Sequence, residues 1–348
     1  MHAVAAISQS ALAHNLSTVQ ALAPNSKIVC MVKANAYGHH LDLSNPLFQA
    51  DILAVSELSE ARQLRQLSDK PILLLPGVFS SEDLTEAINL NCYLVLHTLS
   101  QLEIITNTKQ AVNIWLKVDT GMHRLGLSTP DLEICLDQLN KQPSINIECV
   151  MSHFACADEP EHAQNAQQLN NFNQLKINSS RRSMANSAAI FSLPKAHFDY
   201  VRPGIMLYGV SPFGVADKSL QPVMELSAPV LSIRQINAGE SVGYGATWKA
   251  EKNTTIAVIG IGYGDGYPRH AKNGTPVLIN NTLHSLVGRV SMDLICVDIG
   301  DSSITIGDKA ILWGHDKLQI ETVANCSNTI GYELLTGVTS RVSFVKHD

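Results

Sequence analysis

Short β-type runs alternate with helical stretches eight times before about residue 212 of this 348-residue chain, and this alternation limits the possible folds most. Stretches such as Glu57–Leu67 and Ala163–Leu175 have helical character and lie between the runs. The strand candidates are Ile28–Val32, Ile52–Val55, Ile72–Leu75, Tyr93–Leu96, Ile114–Val118, Ile147–Met151, Arg182–Met184 and Tyr200–Arg202. Eight such repeats predict an N-terminal (β/α)8 barrel of the TIM type rather than an open sheet.

The pattern changes after Pro212-Phe213-Gly214, and β-branched runs punctuated by Gly and Asn follow from Pro222 onward. These runs are Val230–Ile233, Thr255–Ile259, Pro276–Ile279, Ser285–Val287, Ile295–Val297, Ala310–Leu312 and Val342–Val345. They predict a mostly antiparallel, β-rich C-terminal domain. We therefore assign residues 1–215 to the barrel domain and residues 216–348 to the β-rich domain.

The composition excludes several classes of protein. The net charge of -6 gives no basic surface for a nucleic acid or an anionic membrane. The seven cysteines are scattered and never spaced as C-x-x-C, which favours free thiols in a reducing compartment and no metal site. The N-terminal apolar segment is short and lacks a basic leader, and Ser8 and Ser10 then open a helical pattern. We expect a cytoplasmic protein without a membrane span.

Lys33 directly follows the first predicted strand, in Val32-Lys33-Ala34-Asn35-Ala36-Tyr37-Gly38. Barrel enzymes hold their working groups on the loops after the C-terminal ends of the strands. A lysine that is partly desolvated there has a lowered pKa and can form a Schiff base with a carbonyl. A solvated loop lysine is the ordinary alternative, and only the neighbouring motifs decide between the two.

Two further charged or titratable candidates follow the fifth and sixth predicted strands. Arg124 lies in the loop Lys117–Gly126, where it either neutralises an anionic oxygen of a ligand or pairs with an aspartate of the loop. His153 lies in Ser152-His153-Phe154, where it is either a packed, hydrogen-bonded residue or a catalyst. Both alternatives stay open from the residues alone.

The loops after the seventh and eighth strands are the usual phosphate site of such barrels. Asn186 is a natural N-cap for the next helix, and Ser187 beside it offers a hydroxyl. The eighth strand runs into Arg202-Pro203-Gly204-Ile205, where Gly204 and Ile205 offer backbone amides. Capping and turn formation alone would also explain these residues. Together with the strand-one lysine, however, they describe a barrel that holds pyridoxal phosphate (PLP).

In the second domain, glycines flank Tyr244 in Val242-Gly243-Tyr244-Gly245, and a tyrosine there can approach a ligand closely. Its phenol is a candidate general acid or base. The segments Gly262–Arg269 and Gly288–Asp293 are further candidates, although plain turn chemistry would also account for all three.

The segment Val32–Gly38 resembles the PLP-lysine motif of the alanine racemase family. Further segments resemble the family in its own order over nearly the whole chain: Lys117–Gly126, Ser152–Ala155, Asn186–Ala189, Arg202–Gly209, Val242–Thr247, Gly262–Arg269, Arg289–Asp293 and Gly331–Glu333. The resemblance implies an isomerase that interconverts L- and D-alanine with PLP, and that works as a homodimer. It leaves open whether the product supplies peptidoglycan or the enzyme serves alanine breakdown.

The resemblance also implies the roles of single residues. Lys33 would hold PLP covalently and act as one base, and Tyr244, reaching over from a partner subunit, would be the other. Arg202 would face the pyridine nitrogen of PLP with His153 behind it, and Arg124 would contact the phenolic oxygen of PLP and the substrate.

Other positions would surround the cofactor phosphate and the substrate. The cofactor-binding set is completed by Tyr37, Asn186, Ser187, Gly204, Ile205 and Tyr332. Met292 and Asp293 would lie near the substrate carboxylate, again from the partner subunit, and Tyr263 would narrow the entrance. Lys117 matches a lysine that is often carbamylated in the family, which would make it an anion able to position Arg124.

The chain departs from the family pattern in places. Ile7-Ser8 stands where Ile-Asp is common, and His40 stands where the family commonly has glycine. The stretch from His39 to Ala50 looks several residues short, so we expect a reduced first barrel helix.

Three rival functions remain: an amino-acid decarboxylase of the same fold group, a racemase of broader range for serine or basic amino acids, and a non-enzymatic PLP-carrier barrel. Tyr244 and Ser291-Met292-Asp293 favour a racemase over the decarboxylase. Carriers of that kind lack the β domain that this sequence predicts.

Overall fold

The computed structural model describes residues 2–177 and 181–348. The chain divides into two compact units that alternate along the sequence. The barrel unit contains Asn15–Ala36 and His40–Leu207. The β-rich unit contains the residues through His14, Tyr37–His39 and Tyr208–Asp348. These units are defined by contacts, and the domain boundary between residues 215 and 216 remains a prediction.

The chain opens with strand β1 (Val4–Ser8) and helix α1 (Gln9–Leu22). Eight parallel strands then form a closed barrel in sequence order, which confirms the predicted fold and all eight strand positions. They are β2 (Lys27–Met31), β3 (Ile52–Val55), β4 (Ile72–Leu74), β5 (Cys92–Leu96), β6 (Val112–Lys117), β7 (Ile145–Met151), β8 (Arg181–Ser183) and β9 (Tyr200–Val201). The barrel closes where β9 pairs with β2, with Tyr200 opposite Lys27.

The barrel strands are short apolar runs because both of their faces are covered. Every residue of β3 and β4 is buried. Trp115 and Tyr200 are buried against each other, with ring centroids 5.0 Å apart. The intervening helices are α2 (Lys33–Tyr37), α3 (Leu58–Leu67), α4 (Ser81–Asn89), α5 (Leu99–Thr106), α6 (Thr129–Leu139), α7 (Ala163–Asn173) and α8 (Ser187–Ser192).

The first barrel helix is reduced, in agreement with the short stretch from His39 to Ala50. The segment α2 has five residues and is not a regular α-helix, because Ala34, Asn35 and Ala36 have positive φ values. Two 3-10 helices, Leu41–Leu43 and Asn45–Gln49, fill the remaining connection to β3. Later helices begin with ordinary caps; the Ser80 hydroxyl, for example, accepts a hydrogen bond from the Asp83 N–H at the start of α4.

The β-rich unit is built around an eight-stranded sheet in the order β13-β16-β15-β14-β17-β10-β1-β18. Its elements are β10 (Met224–Ile236), β11 (Ser241–Val242), β12 (Trp248–Lys249), β13 (Thr254–Ile259), β14 (Pro276–Ile279), β15 (Thr282–Val287), β16 (Ile295–Asp298), β17 (Lys309–Trp313), β18 (Ser343–His347), α9 (Ile320–Cys326) and α10 (Gly331–Gly337). Its pairings are antiparallel except for β1 with β18, which confirms the mostly antiparallel C-terminal domain.

Strand β1 has no counterpart among the predicted strands. Val4 pairs with Ser227 of β10 and with Ser343 of β18, so both partners lie far away in the sequence. A five-residue strand followed directly by a helix leaves little local pattern, and its position in the sheet depends on those distant partners.

All seven cysteines are free. Across residues 2–177 and 181–348, none of the helices has both the length and the apolar character to cross a membrane.

Candidate active site

Four of the candidate residues lie at the C-terminal ends of barrel strands. Lys117 is the last residue of β6, Arg202 directly follows β9, and Lys33 and His153 lie two residues beyond β2 and β7. Because all eight strands are parallel, these ends meet at one rim of the barrel.

Lys33 is partly buried at this rim. Burial lowers its pKa most, the nearby charge of Arg124 lowers it further, and Glu60 opposes both effects. Glu60 is held in place by hydrogen bonds from the N–H groups of Ser56 and Asn35, at 2.9 and 3.3 Å. A lowered pKa increases the fraction of free amine at neutral pH, and the free amine is the nucleophilic form.

The backbone turns left-handed directly after Lys33. Ala34, Asn35, Ala36 and Tyr37 have φ values of 53°, 51°, 56° and 52°. Each such residue costs roughly 1–2 kcal/mol relative to a right-handed turn, because Cβ approaches the following carbonyl. Strained backbone of this kind tends to cluster at functional sites, which agrees with a working role for the neighbouring lysine.

Arg202 is a buried guanidinium, only 4% exposed. It donates hydrogen bonds to Ser183 Oγ at 2.6 Å and to the Ser152 carbonyl oxygen at 2.5 Å. Among the residues that the structure describes, no carboxylate forms an ion pair with Arg202. Burial lowers the pKa of Arg202 to about 10, so the side chain stays charged at neutral pH.

His153 lies against Arg202, whose Nη2 is 3.3 Å from His153 Nδ1. Desolvation and then the charge of Arg202 lower the pKa of His153 well below its ordinary value, so the ring is neutral. Because a guanidinium can only donate, Nδ1 accepts and the ring proton lies on Nε2. His153 is therefore a hydrogen-bonded partner of Arg202, whatever further part it plays.

The loop after β6 is organised by Asp119 and not by an ion pair with Arg124. The Asp119 carboxylate accepts from the N–H groups of Gly121 and His123 and lies 2.9 Å from His123 Nδ1. Arg124 is exposed. Within residues 2–177 and 181–348, Arg124 forms no ion pair with an aspartate, so its exposed guanidinium can reach a ligand.

Lys117 lies within the same group of cations. Burial lowers its pKa to about 8, and the charges of Arg202, Arg124 and Lys33 contribute after burial. The carboxylates that act on the two lysines are Asp119 and Glu60. The four cations of this rim, the two lysines with Arg124 and Arg202, have few carboxylates near them, so the rim fits a ligand with several negative charges. A carbonyl on that ligand could react with Lys33. PLP, with its aldehyde, phosphate and phenolate, has that chemistry.

The loops after β8 and β9 are joined by hydrogen bonds to Ser187. Ser187 is 4% exposed, and its Oγ accepts from the N–H of Gly204 at 2.8 Å and from that of Met206 at 3.5 Å. The Asn186 side chain accepts from the Ala189 N–H at 3.0 Å, which confirms the predicted N-cap of α8. The Gly204 N–H already donates to Ser187 Oγ, and the Ser187 hydroxyl keeps its own hydrogen to donate to an anion such as a phosphate.

In the β-rich unit, Tyr37 and Tyr332 belong to a stacked aromatic cluster. The Tyr37 ring lies 4.8 Å from that of Tyr208 and 6.2 Å from that of Tyr332, and His39 stacks on Tyr208 at 4.6 Å. Burial and then the neighbouring Tyr332 raise the pKa of Tyr37, so its phenol stays protonated and can donate a hydrogen bond.

The other candidates of the β-rich unit lie on exposed turns. Tyr244, Tyr263 and Met292 are 69%, 42% and 52% exposed. Two of the turns interlock through their backbones, since the Tyr263 N–H donates to the Ser291 carbonyl at 3.0 Å and the Gly264 N–H to the Met292 carbonyl at 2.8 Å. The structure thus brings Tyr263 next to Met292 and Asp293, and it places Tyr244 on a separate turn.

Two family models together span nearly the whole chain. The alanine racemase N-terminal domain matches residues 7–212, and the alanine racemase C-terminal domain matches residues 223–346. The chain belongs to the alanine racemase family. It is similar to the alanine racemase of Vesicomyosocius okutanii, with 62% identity over 99% of both chains. The alanine racemase of Aeromonas hydrophila is 46% identical over 98% of both chains.

Solved structures of the family agree with the fold. The biosynthetic alanine racemase from Pseudomonas aeruginosa has a TM-score of 0.96 and 41% identity over 100% of this chain and 99% of its own. The alanine racemase from Bartonella henselae, solved with covalently bound pyridoxal phosphate, has a TM-score of 0.92 and 31% identity over the full length of both chains.

Arg341 is not singled out by the sequence, although it contacts the turns that bear Tyr263 and Asp293. Its guanidinium lies 2.6 Å from Asp293 and 3.2 Å from Asp265, two carboxylates on the turns described above. Asp293 is 48 residues away in the sequence. No local motif around Arg341 signals this contact.

Proposed function

We propose that this chain catalyses the interconversion of L- and D-alanine with PLP, as the activity of its family. The observation that carries the proposal is Lys33, a lysine of lowered pKa at the mouth of a barrel whose other charged groups are mainly cationic. D-alanine made in this way would serve peptidoglycan synthesis or belong to alanine breakdown. The seven free cysteines support a location in the reducing cytoplasm.

Each part of the cofactor would be held by a different group of residues. Lys33 would bind PLP covalently, and Arg124 would contact its phenolic oxygen. The phosphate would be bound by Tyr37, Ser187, Gly204, Ile205 and Tyr332, with Asn186 holding the loop beside it. When bound, PLP would supply the conjugated electron sink that stabilises negative charge at the Cα of alanine.

Arg202 would face the pyridine nitrogen. A guanidinium that remains charged at neutral pH can only donate a hydrogen bond to that nitrogen, and it disfavours a second positive charge there. His153 would keep Arg202 in this orientation, because its Nδ1 accepts from the same guanidinium.

Racemisation requires one group that removes a proton from one face of Cα and another that returns a proton to the opposite face. Lys33 would hold the proton on its Nζ, and its lowered pKa keeps part of the population in the free-base form. Tyr244 would hold the proton on its phenolic oxygen. Its exposed turn, with Gly243 and Gly245 at φ values of 76° and 74°, supports a role in the site of a second copy.

Lys117 would act through Arg124. Its pKa of about 8 leaves part of the amine neutral, and a neutral amine reacts with CO2 to form a carbamate and release a proton. The carbamate would replace a cation by an anion in the cation-rich rim and could then position the Arg124 guanidinium. Extra mass on Lys117 would support this step, whereas a bare Lys117 with no anion beside it would exclude it.

The activity is tested by incubating purified protein and PLP with L-alanine and following D-alanine, with L-serine and L-arginine in parallel. We expect alanine to be the preferred substrate. Preference for another amino acid would leave a racemase of different range, and release of CO2 without racemisation would instead indicate a decarboxylase.

The homodimer is tested by mixing Lys33→Ala with Tyr244→Phe under conditions that exchange subunits. If Tyr244 acts in the partner's site, a mixed dimer has one site with both bases and one site with neither. Half of the dimers are then mixed, and about a quarter of wild-type activity returns. No recovery despite proven exchange would place both bases in one chain.

A further inference from the structure

Arg341 connects the two turns that bear the candidate substrate residues of the β-rich unit. Its Nη2 donates to Asp293 Oδ1 at 2.6 Å, and its Nε lies 3.2 Å from Asp265 Oδ1. The hydrogen bond with Asp293 and the charge of Asp265 raise the pKa of the guanidinium, so Arg341 remains a cation at every working pH. One cation thus bridges two carboxylates of separate turns.

The backbone holds these turns together without help from the Arg341 side chain. The N–H groups of Tyr263 and Gly264 donate to the carbonyls of Ser291 and Met292. Thr339 Oγ1 also donates to the Gly264 carbonyl at 3.0 Å. Loss of the guanidinium alone therefore leaves these contacts between the turns in place.

The distinguishing contribution is charge. The Asp265 side chain is 10% exposed and also accepts the Gly262 N–H at 2.9 Å, whereas the Asp293 side chain is 57% exposed. With Arg341 present, the three side chains have one net negative charge. Without it they have two, and the more exposed carboxylate is the one that loses its partner.

A carboxylate without a cationic partner repels an anionic substrate. If Asp293 lies near the carboxylate of alanine, two like charges come close and repel each other unless one is compensated. We propose that Arg341 is a positioning residue for substrate binding: it draws the Asp293 carboxylate toward Asp265 and offsets its charge, which lets the substrate carboxylate lie against Met292 and Asp293. This inference rests on the proposed function, because that function places Asp293 at the substrate.

A purely structural clamp would predict a different outcome from charge compensation. Loss of a clamp loosens the turns, and removing a second charge does not repair them. Loss of charge compensation is repaired when the charge of Asp293 is removed as well. A double-mutant cycle over Arg341 and Asp293 therefore separates the two roles.

The experiment compares Arg341→Gln with Arg341→Gln/Asp293→Asn in the holoenzyme. We expect Arg341→Gln to raise KM for alanine about tenfold with kcat nearly unchanged, the effect of one uncompensated charge in partly hydrated surroundings. The double variant should bring KM back to within about threefold of wild type. Arg62→Gln is the matched control, since Arg62 forms an exposed ion pair with Glu86 on the barrel helices, and it should leave KM unchanged.

Binding of propionate, which has the carboxylate and carbon chain of alanine but no amino group, gives a readout without turnover. Its Kd should rise in Arg341→Gln and recover in the double variant, in parallel with KM. If the wild type does not racemise alanine, the proposed function fails, and the Kd of propionate still tests Arg341.

An unchanged KM and propionate Kd in Arg341→Gln would overturn the proposal, and so would a raised KM that Asp293→Asn does not reverse. Should Arg341→Gln fail to fold, Arg341→Lys takes its place. A compact ammonium cannot bridge both carboxylates as a guanidinium does, so KM should rise about threefold and again recover with Asp293→Asn.

Discussion

The two regions that hold the candidate residues differ in how far their chemistry is prepared within one chain. At the barrel mouth, Lys33, Lys117 and His153 have lowered pKa values, and Arg202 is 4% exposed. In the β-rich unit, Tyr244 is 69% exposed. The barrel groups are desolvated and surrounded by one another, whereas the tyrosine lies in solvent.

The barrel mouth is thus distinguished by its charges, and the β-rich unit by the fixed backbone of its turns. A buried cluster of like charges opposes folding, so its presence at the barrel mouth points to a ligand that supplies the missing negative charge. The turns of the β-rich unit are instead fixed by backbone hydrogen bonds, as between Tyr263 and Ser291. Under the proposed function, the groups around the exposed Tyr244 would come from a second copy of the chain.

The largest expected effect is the loss of the barrel base. Lys33→Ala should lower kcat by at least about 10⁴-fold and abolish covalent attachment of PLP, because it removes both a base and the nucleophile. Tyr244→Phe should lower kcat by about 10³-fold and leave the attachment intact, since it removes only a proton carrier. Coupled assays measure kcat, and borohydride reduction followed by mass spectrometry of the chain measures the attachment.

If Lys33→Ala and Tyr244→Phe both lose covalent PLP, the contrast between the barrel mouth and the exposed turn of Tyr244 is wrong. Loss of covalent PLP in Tyr244→Phe would show that the exposed tyrosine belongs to the cofactor site as fully as the lysine does. Lys176→Ala is a suitable control, because this exposed lysine precedes β8 and so belongs to the N-terminal ends of the barrel strands, and it should leave both readouts unchanged.

The sequence predicts the barrel half of the site well because strand ends are local features. Lys33, Lys117 and Arg202 each follow an apolar run within two residues, and a parallel barrel then brings them to the same rim whatever the helices between them do. The cap Asn186 is equally local, since its partner Ala189 is three residues away.

Features that depend on distant partners are not predictable in this way. Strand β1 acquires its place from Ser227 and Ser343, and Arg341 acquires its role from Asp293 and Asp265. The left-handed turn after Lys33 is a different case. Its residues are alanine, asparagine and tyrosine rather than glycine, so local propensity argues against the conformation that the surrounding structure imposes.

The rigidity attributed to the β-rich turns can be tested at Gly262. A Cβ at this position would clash with the carbonyl oxygens of Ser291 and Met292, which are fixed backbone atoms. We expect Gly262→Ala to lower the free energy of unfolding by about 2–3 kcal/mol and to raise KM, because the interlocked turns must separate. Thermal or urea unfolding measures the first effect.

Gly264→Ala sharpens the same test. Its Cβ would meet mainly the end of the Arg341 guanidinium, which can move, and the Met292 carbonyl oxygen at 3.0 Å. A smaller loss of about 1 kcal/mol is expected. Equal losses of unfolding free energy in Gly262→Ala and Gly264→Ala would mean that the backbone of these turns moves easily. The turns of the β-rich unit could then not be called fixed in contrast to the charged barrel mouth.

The last expected effect concerns the charge conflict at Lys117, and it has the opposite sign, because stability should rise. With a folded-state pKa of about 8, below the ordinary value of 10.5, the charge of Lys117 opposes folding fully below pH 8. The penalty fades between pH 8 and 10.5, where the folded chain binds fewer protons than the unfolded chain. In chain freed of PLP and CO2, Lys117→Met should therefore raise the free energy of unfolding by about 2 kcal/mol at pH 7, and its advantage should shrink as pH rises from 8 toward 10.5.

Two comparisons decide what that result means. Lys141→Met removes an exposed lysine paired with Asp137. It should change the free energy of unfolding by less than about 0.5 kcal/mol, both at pH 7 and above pH 8. Added bicarbonate should stabilise the wild type and not Lys117→Met, because only the wild type can exchange the opposing cation for a carbamate anion. A pH-independent gain in Lys117→Met would reveal better packing and no charge conflict. The barrel mouth would then differ from the β-rich turns in burial alone, and the case for an anionic ligand would rest on Arg202.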